Sequence, residues 1–255
     1  MTFRTLQKWH AAGNDFLVEL AQSDEDPWWD EPRARAACQR STGVGADGLI
    51  IVTTSPDVTM VLRNADGTRA EMSGNGIRCV AAAVRRTTGT TGEFFDIHTD
   101  AGIRRVSLVM DGDAGYASVS MGEVTLREAL AGSLGVAHVG NPHVVVADVA
   151  EWTDPQREDL ARSWSEELGG ANVEFVTPID HGHVALRVIE RGVGWTRACG
   201  TGSCASAAVL HDAGVVGPDV MVLNPGGPLR VQLDGAQATL SGPVQFVANV
   251  RWLAP

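Results

Sequence analysis

Long apolar runs and basic charge are both scarce in this chain of 255 residues. No apolar run approaches the roughly 18 residues needed to cross a bilayer, and the opening segment MTFRTLQKWH lacks the apolar core of a signal peptide. Lysine and arginine number 20 against 31 acidic residues, which gives a net charge of -11 and no basic patch for a nucleic acid. We therefore expect a cytoplasmic protein with no membrane partner and no nucleic-acid partner.

Cysteine is also scarce. The four cysteines, Cys38, Cys79, Cys199 and Cys204, are too few and too irregularly spaced for a disulfide scaffold. The sequence contains no C-x-x-C motif and no histidine pair at metal-binding spacing. We expect reduced thiols and no metal site.

The composition that remains is that of a globular protein, with 44% hydrophobic and 20% charged residues. A chain of this length suits two domains of about 120 residues or one large domain. An internal repeat favours two domains, because an offset of 126 residues places Ser73 on Cys199. Three pairs of segments recur in the same order: GN at 13–14 and 140–141, GADGLIIV at 45–52 and GANVEFV at 170–176, and EMSGNGIRC at 71–79 and RACGTGSCA at 197–205.

Each half alternates short β-rich runs with few helices. One helix is predicted from about Gly74 to Arg86, and its counterpart from Gly200 to a point before Gly214. Both are rich in small residues, which favours helices enclosed closely by a sheet. The sequence therefore predicts an α+β fold of two pseudo-symmetric domains, 1–119 and 120–244, each a sheet wrapped around a central helix, with an active site in the interdomain cleft.

The chemistry is predicted where these two helices begin. A Gly-X-Gly loop at a helix N-terminus presents unhindered N–H groups to an anion, and the helix dipole favours a thiolate at Cys199. Two such helix starts at one cleft would hold one carboxylate and leave residues 73 and 199 on opposite sides of its α-carbon. That arrangement suits stereoinversion, in which one group removes a proton and the other returns one.

Several ordered blocks resemble the signature of the diaminopimelate epimerases, within the cofactor-independent amino-acid racemase and epimerase superfamily. The blocks are HAAGNDF, NADGTRAEMSGNGIRC, HTDAG, GNPHVVV, NVEFV and ERGVGWTRACGTGSCA. The resemblance implies no pyridoxal phosphate or other cofactor, no metal, a small-molecule amino-acid substrate and a possible homodimer. It also implies interconversion of LL- and meso-diaminopimelate for lysine and peptidoglycan synthesis, and a final strand, 245–255, that returns to the N-terminal half.

The resemblance assigns roles residue by residue. Cys199 and the residue at position 73 would be the catalytic acid and base, with His143 and Glu190 beside them. The residues that would bind substrate fall into two groups. The α-carboxylate would lie on Gly74, Asn75, Gly200 and Thr201. The distal amino-acid end would be held by Asn14, Asn64, Asn172 and Arg191, with Asn141 lining the site.

Structural explanations exist for several of these residues. Asn14, Asn64 and Asn141 are also typical of turns beside glycines, and His143 is compatible with an ordinary strand. Cys38, Cys79 and Cys204 are interpreted as small buried core residues.

Position 73 departs from the family, which normally has cysteine there. A serine hydroxyl is a far weaker acid than a thiol, whose pKa is about 8.5, so Ser73 cannot be a resting base near neutral pH. Three explanations follow: an engineered substitution, a variant whose epimerisation is slow or supported by other groups, or a one-sided lyase or dehydratase in which Cys199 alone removes a proton. A non-catalytic amino-acid-binding protein is a further alternative.

Overall fold

The chain divides into two compact units in a computed structural model that describes residues 3–21 and 28–253. Unit 1 comprises residues 1–119 with 242–255, and unit 2 comprises residues 120–241. The described helices are α1 (Glu31–Cys38), α2 (Gly74–Thr88), α3 (Asp154–Glu167) and α4 (Gly200–Asp212). Among the described residues, no helix has both the length and the apolarity needed to cross a membrane.

Unit 1 is built on strands β1 to β8 and the second part of β17. Their bounds are β1 (Phe3–Ala11), β2 (Asn14–Leu20), β3 (Gly48–Thr53), β4 (Val58–Asn64), β5 (Arg69–Ala70), β6 (Phe94–Thr99), β7 (Gly102–Asp111), β8 (Ala114–Glu123) and β17 (Gln237–Leu253). The pairs β2–β3 and β4–β6 are parallel. The pairs β1–β2, β3–β4, β4–β5, β6–β7 and β7–β8 are antiparallel, as is the pair of β1 with the end of β17.

Unit 2 repeats this order of elements. Its strands are β9 (Thr125–Arg127), β10 (Gly135–His138), β11 (Pro142–Ala147), β12 (Asn172–Asp180), β13 (His183–Glu190), β14 (Gly194–Thr196), β15 (Asp219–Asn224) and β16 (Gly227–Asp234), followed by the start of β17. Here β11–β12 and β13–β15 are the parallel pairs, which correspond to β2–β3 and β4–β6. The expected α+β fold with two pseudo-symmetric halves is therefore confirmed.

The central helix of each unit is buried along most of its length. Residues 74–84 of α2 are all buried against β1, β2 and β7. In α4, residues 202–210 are buried, chiefly against β10 and β16. Ala, Ser, Cys and Gly let these strands approach closely from several sides, since larger side chains would not fit a core of normal density. The predicted small-residue helices are confirmed, and α2 extends two residues beyond the predicted end at Arg86.

The outer helices α1 and α3 cover the other face of each sheet. In α1, Ala34, Ala37 and Cys38 are buried against Leu49 and Ile51. In α3, Ala161 and Trp164 belong to a cluster of buried residues with Val173 and Phe175. Sequence patterns predict both helices, because each carries acidic and basic residues on the exposed face.

Candidate active site

Ser73 begins helix α2 as its N-cap. Its backbone is extended, with φ -136° and ψ 122°, and its Oγ accepts the amide hydrogen of Gly76 at 3.0 Å. Its carbonyl oxygen accepts the amide hydrogen of Ile77. The bond to Ile77 is the first intrahelical bond, and the bond to Gly76 satisfies one of the four amides that lack intrahelical partners at a helix start. Gly74 and Asn75, the predicted carboxylate contacts, supply the two amides before them and are buried.

A hydrogen-bonded chain connects the start of α2 to the start of β2. The side-chain amide of Asn75 donates to Oδ1 of Asn14 at 3.2 Å, and Asn14 donates to Oδ2 of Asp47 at 2.7 Å. Arg78, fully buried in α2, donates to Oδ1 of Asn75 at 2.7 Å. These bonds fix the orientation of both predicted asparagines, Asn14 and Asn75.

The sequence interpretation missed the charges that hold this chain in place. Arg40 donates to Asp15 at 2.7 Å and to Asp47 at 2.6 Å, and Lys8 lies 3.0 Å from Asp15. Burial alone would raise the pKa of Asp15, but hydrogen bonds from Arg40 and Lys8 outweigh it and hold that pKa below its ordinary value. No pairing of residues 8, 15, 40 and 47 was visible in the sequence, because the contacts join separate elements.

Asn64 closes a turn at the end of β4. Its amide side chain donates to Oγ1 of Thr68 at 3.1 Å, and its carbonyl oxygen accepts the amide hydrogen of Gly67, which has a positive φ of 90°. These contacts agree with the turn interpretation of Asn64.

Cys199 begins helix α4 with the same extended geometry as Ser73, at φ -121° and ψ 118°. Its Sγ accepts the amide hydrogen of Gly202 at 3.3 Å and lies 3.4 Å from Oγ1 of Thr201. The side-chain amide of Asn172 approaches the same sulfur at 3.9 Å. Three of the predicted residues of unit 2, Asn172, Cys199 and Thr201, are thus brought together.

Glu190 and Arg191 follow one another at the end of β13. The hydroxyl of Thr196 donates to Oε1 of Glu190, and the nearby Cys199 thiol, like Thr196, acts to lower the pKa of this carboxyl against its burial. The amide of Arg191 donates to Oδ1 of Asn172 at 2.9 Å. The Arg191 side chain is exposed, and it makes no ion pair with any residue of 3–21 or 28–253. A free guanidinium beside a half-buried carboxylate can bind a zwitterionic group.

The expectation of a resting thiolate at Cys199 is wrong. Burial raises the pKa of Cys199 well above its usual value, and the carboxylates of Glu190 and Glu174 raise it further, against the opposing hydrogen bonds from Thr201 and Gly202. Burial, together with the neighbouring charge of Glu174, also raises the pKa of Glu190. Burial and the two carboxylates therefore favour the neutral thiol of Cys199, and Glu190 is a nearby group that can accept its proton.

His143 lies in a second buried cluster that includes a residue the sequence interpretation missed. Nδ1 of His143 is 2.7 Å from Oε1 of Glu174, and both side chains are fully buried. Nε2 of His143 is 3.0 Å from Oδ1 of Asn141. Glu174 lies within the strand segment NVEFV, where a glutamate between apolar residues was the available signal.

The described part of the chain contains no group of three or more His, Cys, Asp or Glu residues that could hold a metal ion. Hydroxyl and amide groups bind the Cys199 thiol, and the hydroxyl of Thr196 binds the neighbouring Glu190 carboxyl. This arrangement can move a proton between a sulfur and a carboxylate.

Comparison with known proteins agrees with this geometry. The diaminopimelate epimerase family profile matches residues 6–127 and 135–247. A diaminopimelate epimerase of Rhodococcus opacus (strain B4) is 38% identical, with 95% of this chain and 94% of that protein covered. Another, from Corynebacterium glutamicum (strain R), is 37% identical, with 94% and 95% covered. The chain belongs to the diaminopimelate epimerase family.

Solved structures of lower identity share the fold. A predicted epimerase from Pseudomonas aeruginosa superposes with a TM-score of 0.79 at 16% identity, covering 99% of this chain and 100% of that one. A hydroxyproline epimerase from Agrobacterium vitis gives 0.75 at 17% identity, covering 100% and 92%. Membership of the family makes the chain an isomerase by class and confirms the resemblance found in its sequence.

Proposed function

We propose that this protein is a cofactor-independent epimerase that interconverts LL- and meso-diaminopimelate by transfer of the α-proton. The observation that carries the proposal is the Cys199 thiol, which caps helix α4 near the half-buried carboxyl of Glu190, in a chain of this family. A thiol so placed can exchange protons with a carbon acid without any electron sink beyond the protein's own dipoles.

In this proposal Cys199 and Ser73 act on opposite faces of the α-carbon. Glu190 accepts the thiol proton, the sulfur removes the α-proton, and the carbanion is reprotonated from the other face. The substrate α-carboxylate accepts hydrogen bonds from the first amides of the two central helices, at Gly74, Asn75, Gly200 and Thr201, where the positive helix ends favour an anion.

The distal amino-acid end is assigned to polar residues of both units. Arg191 supplies a cation for the distal carboxylate. The side-chain amides of Asn14, Asn64, Asn141 and Asn172 supply hydrogen-bond donors and acceptors for the remaining groups.

Ser73 limits the rate of this reaction. Its hydroxyl cannot remain deprotonated near neutral pH, but it can donate a proton to a carbanion, directly or through a water. We therefore infer slow reprotonation on the side of Ser73 and rapid exchange on the side of Cys199.

A one-sided amino-acid lyase is the second candidate, and the serine at position 73 favours it. Cys199 would remove the α-proton, and the carbanion would expel a leaving group from the β-carbon, with the electron pair forming the α,β double bond. A β-hydroxy or β-halo amino acid would be the substrate.

We place the reaction in lysine and peptidoglycan biosynthesis, in the cytoplasm, and we propose a homodimer. Acidic net charge suits a dissolved enzyme acting on a small metabolite. Sedimentation velocity tests the dimer, because a dimer has twice the mass of one chain, and a species with the mass of one chain at all protein concentrations would contradict it.

Solvent deuterium exchange tests the function. LL- and meso-diaminopimelate are incubated separately in deuterated water with the protein, and loss of the α-hydrogen signal is followed by NMR beside net conversion. We expect exchange of one stereoisomer to be much faster than of the other. Binding without exchange would identify a non-catalytic amino-acid-binding protein, and elimination from a β-chloro amino acid without epimerisation would identify the lyase.

A further inference from the structure

The two units offer an internal comparison of the residues beneath their central helices. In each unit, paired strand residues lead from the segment before the helix to the parallel strand pair. This path runs through Ala70, Leu62 and Ile50 in unit 1, and through Thr196, Val188 and Glu174 in unit 2. Ala70 and Thr196 each precede the helix cap, Ser73 or Cys199, by three residues. Ile50 and Glu174 therefore occupy equivalent positions.

By the same comparison, Phe16 of unit 1 occupies the position equivalent to His143 of unit 2. Ile50 pairs with Val18 in the parallel strands β2 and β3, and Glu174 pairs with Val145 in β11 and β12. Phe16 and His143 each lie two residues before these valines and so on the same face of their strands. A buried His–Glu pair in unit 2 thus corresponds to a buried Phe–Ile pair in unit 1.

The second glycine of each Gly-X-Gly motif supports this equivalence. A Cβ atom at Gly76 would lie 3.0 Å from Cδ1 of Ile50, whereas one at Gly202 would lie 2.5 Å from Oε1 of Glu174. Gly76 and Gly202 thus each leave space for the side chain at the equivalent strand position, Ile50 or Glu174. In unit 2 the space is taken by a carboxylate, whose other oxygen, Oε2, has no hydrogen-bond partner among the described residues.

Unit 1 shows that the fold does not require a polar pair at this place. Burying a carboxylate and an imidazole carries a desolvation cost, and replacing such pairs by well-packed apolar side chains is often neutral or stabilising. Glu174 lies close to the candidate site, because it packs under Gly202, whose amide donates to Sγ of Cys199. Its charge raises the pKa values of both Cys199 and Glu190. Its presence is therefore better explained by chemistry than by packing.

We propose that Glu174 is a positioning residue that fixes the ring of His143 and holds a second proton at its Nδ1 atom, so that Nε2 keeps its own hydrogen. This inference rests on the proposed epimerase function. The contacts supply the reason, because Oδ1 of Asn141 can only accept a hydrogen bond and so requires a hydrogen on Nε2. A second proton lies between Nδ1 and Oε1 of Glu174.

The His143–Glu174 pair holds the same number of protons whether the second proton lies on Nδ1 of His143 or on Oε1 of Glu174. The pair is either a carboxylate beside an imidazolium or a carboxylic acid beside a neutral imidazole. In both forms Nε2 carries a hydrogen, so His143 is held ready as a proton donor. When Nε2 gives its proton to an acceptor, its electron pair stays on the ring, and the proton shared with Glu174 remains on Nδ1.

Three variants test the proposal. Glu174→Gln keeps the shape and a hydrogen bond to Nδ1 but removes the charge. Glu174→Ile copies the residue that unit 1 has at this place, and the double variant His143→Phe/Glu174→Ile copies the whole pair. Ser206→Ala, at another fully buried position of α4, is the matched control. Thermal unfolding, α-proton exchange with separate kcat and KM, and ¹⁵N NMR of the His143 ring are measured for each.

We expect all three variants to fold, and the two apolar ones to unfold at the same or a higher temperature than the parent. Loss of an orienting partner of a histidine typically costs about 10- to 100-fold, so kcat of Glu174→Ile should fall by that factor with little change in KM. Glu174→Gln should lose less activity than Glu174→Ile. The ¹⁵N shifts of His143 should move in both variants, because Nδ1 loses its carboxylate partner, and in Glu174→Ile Nδ1 should also lose the proton that it shared with Glu174. Ser206→Ala should match the parent in all readouts.

Unchanged His143 ring shifts in Glu174→Ile would overturn the proposal, as would a kcat equal to that of Ser206→Ala. If Glu174→Ile does not fold, the ring shifts of Glu174→Gln decide alone: a parent-like spectrum overturns the proposal and a shifted one supports it. The NMR measurement needs no substrate. A parent protein that exchanges no diaminopimelate would therefore contradict the proposed function, while the spectra still decide the role of Glu174.

Discussion

Ser73 and Cys199 make the same hydrogen bond at the start of equivalent helices. Oγ of Ser73 accepts the amide hydrogen of Gly76 at 3.0 Å, and Sγ of Cys199 accepts that of Gly202 at 3.3 Å. A hydroxyl therefore serves as well as a thiol for capping, but it is a much weaker acid. An oxygen in place of a sulfur at position 73 therefore keeps the helix cap but weakens the group as an acid.

Restoring the thiol with Ser73→Cys should accelerate net epimerisation. A positioned acid or base typically contributes on the order of 10²- to 10⁴-fold, and we expect a gain in that range with little change in substrate affinity. Conversion of LL- to meso-diaminopimelate followed by chiral chromatography, with affinity from calorimetry, measures both quantities.

Ser73→Ala is the control for this change. It removes the acceptor for the Gly76 amide and should cost about 1 kcal/mol of stability, without the gain in rate. If Ser73→Cys leaves the rate unchanged or lowers it, the serine is a functional choice, and the one-sided lyase becomes the leading candidate.

Cys199→Ala should abolish α-proton exchange of both stereoisomers while the fold persists. The thiol is the group assigned to remove the proton, and the expected loss is at least about 10²-fold. Deuterium exchange and circular dichroism provide the measurements. Cys204→Ala, at a fully buried position of the same helix, is the matched control and should retain exchange. Persistent exchange in Cys199→Ala would exclude Cys199 as the base.

Alkylation of Cys199 in the absence of substrate should be slow at neutral pH and should accelerate as the pH rises beyond 9. The direction follows from its raised pKa, because only the thiolate is nucleophilic and it is scarce below that pKa. Cys38 and Cys79, whose pKa burial raises to about 12, should react more slowly still because they are also enclosed in the core. Iodoacetamide labelling with peptide mass spectrometry measures each site.

Glu190→Gln should have opposite effects on labelling and on catalysis. Removing the carboxylate next to Cys199 lowers the pKa of the thiol, so alkylation at fixed pH should be faster. Exchange of the α-proton should be slower, because the proton acceptor is lost. Glu158→Gln, which changes a carboxylate bonded to Trp195 on the surface, should affect neither. Slower labelling in Glu190→Gln would mean that Glu190 already activates the thiol in the resting protein.

Gly202→Ala should destabilise the protein more than Gly76→Ala. The new Cβ at position 202 would lie 2.5 Å from Oε1 and 3.1 Å from Cγ of Glu174, so the buried carboxylate must move. At position 76 the nearest atom is the end of the Ile50 side chain at 3.0 Å. Overpacking a core typically costs about 1 to 3 kcal/mol, and urea unfolding should show the larger loss for Gly202→Ala. Equal losses of stability in the two variants would show that Glu174 obstructs a Cβ atom at position 202 no more than Ile50 obstructs one at position 76.

Much of the fold could be predicted from the sequence because its signals are local. The small-residue helices after Gly74 and Gly200 and the β-rich runs between them depend on neighbours within a few residues. The repeat at an offset of 126 residues can be recognised because each repeated segment is itself short and continuous. Capping at Ser73 and Cys199 is local in the same sense, since the partner amide is three residues away. The family blocks also lie at these local signals, which is why the family could be identified from them.

Only the tertiary structure decided the protonation and the partners of the site. A glutamate inside NVEFV gives no local sign of its histidine, because residues 143 and 174 meet through a parallel strand pair separated by helix α3. The sequence favoured a thiolate at Cys199 from the helix dipole alone, whereas burial and two carboxylates from β12 and β13 reverse that preference. A dipole belongs to the helix and can be predicted from its sequence. Desolvation and the charges of distant strands exist only once the chain has folded.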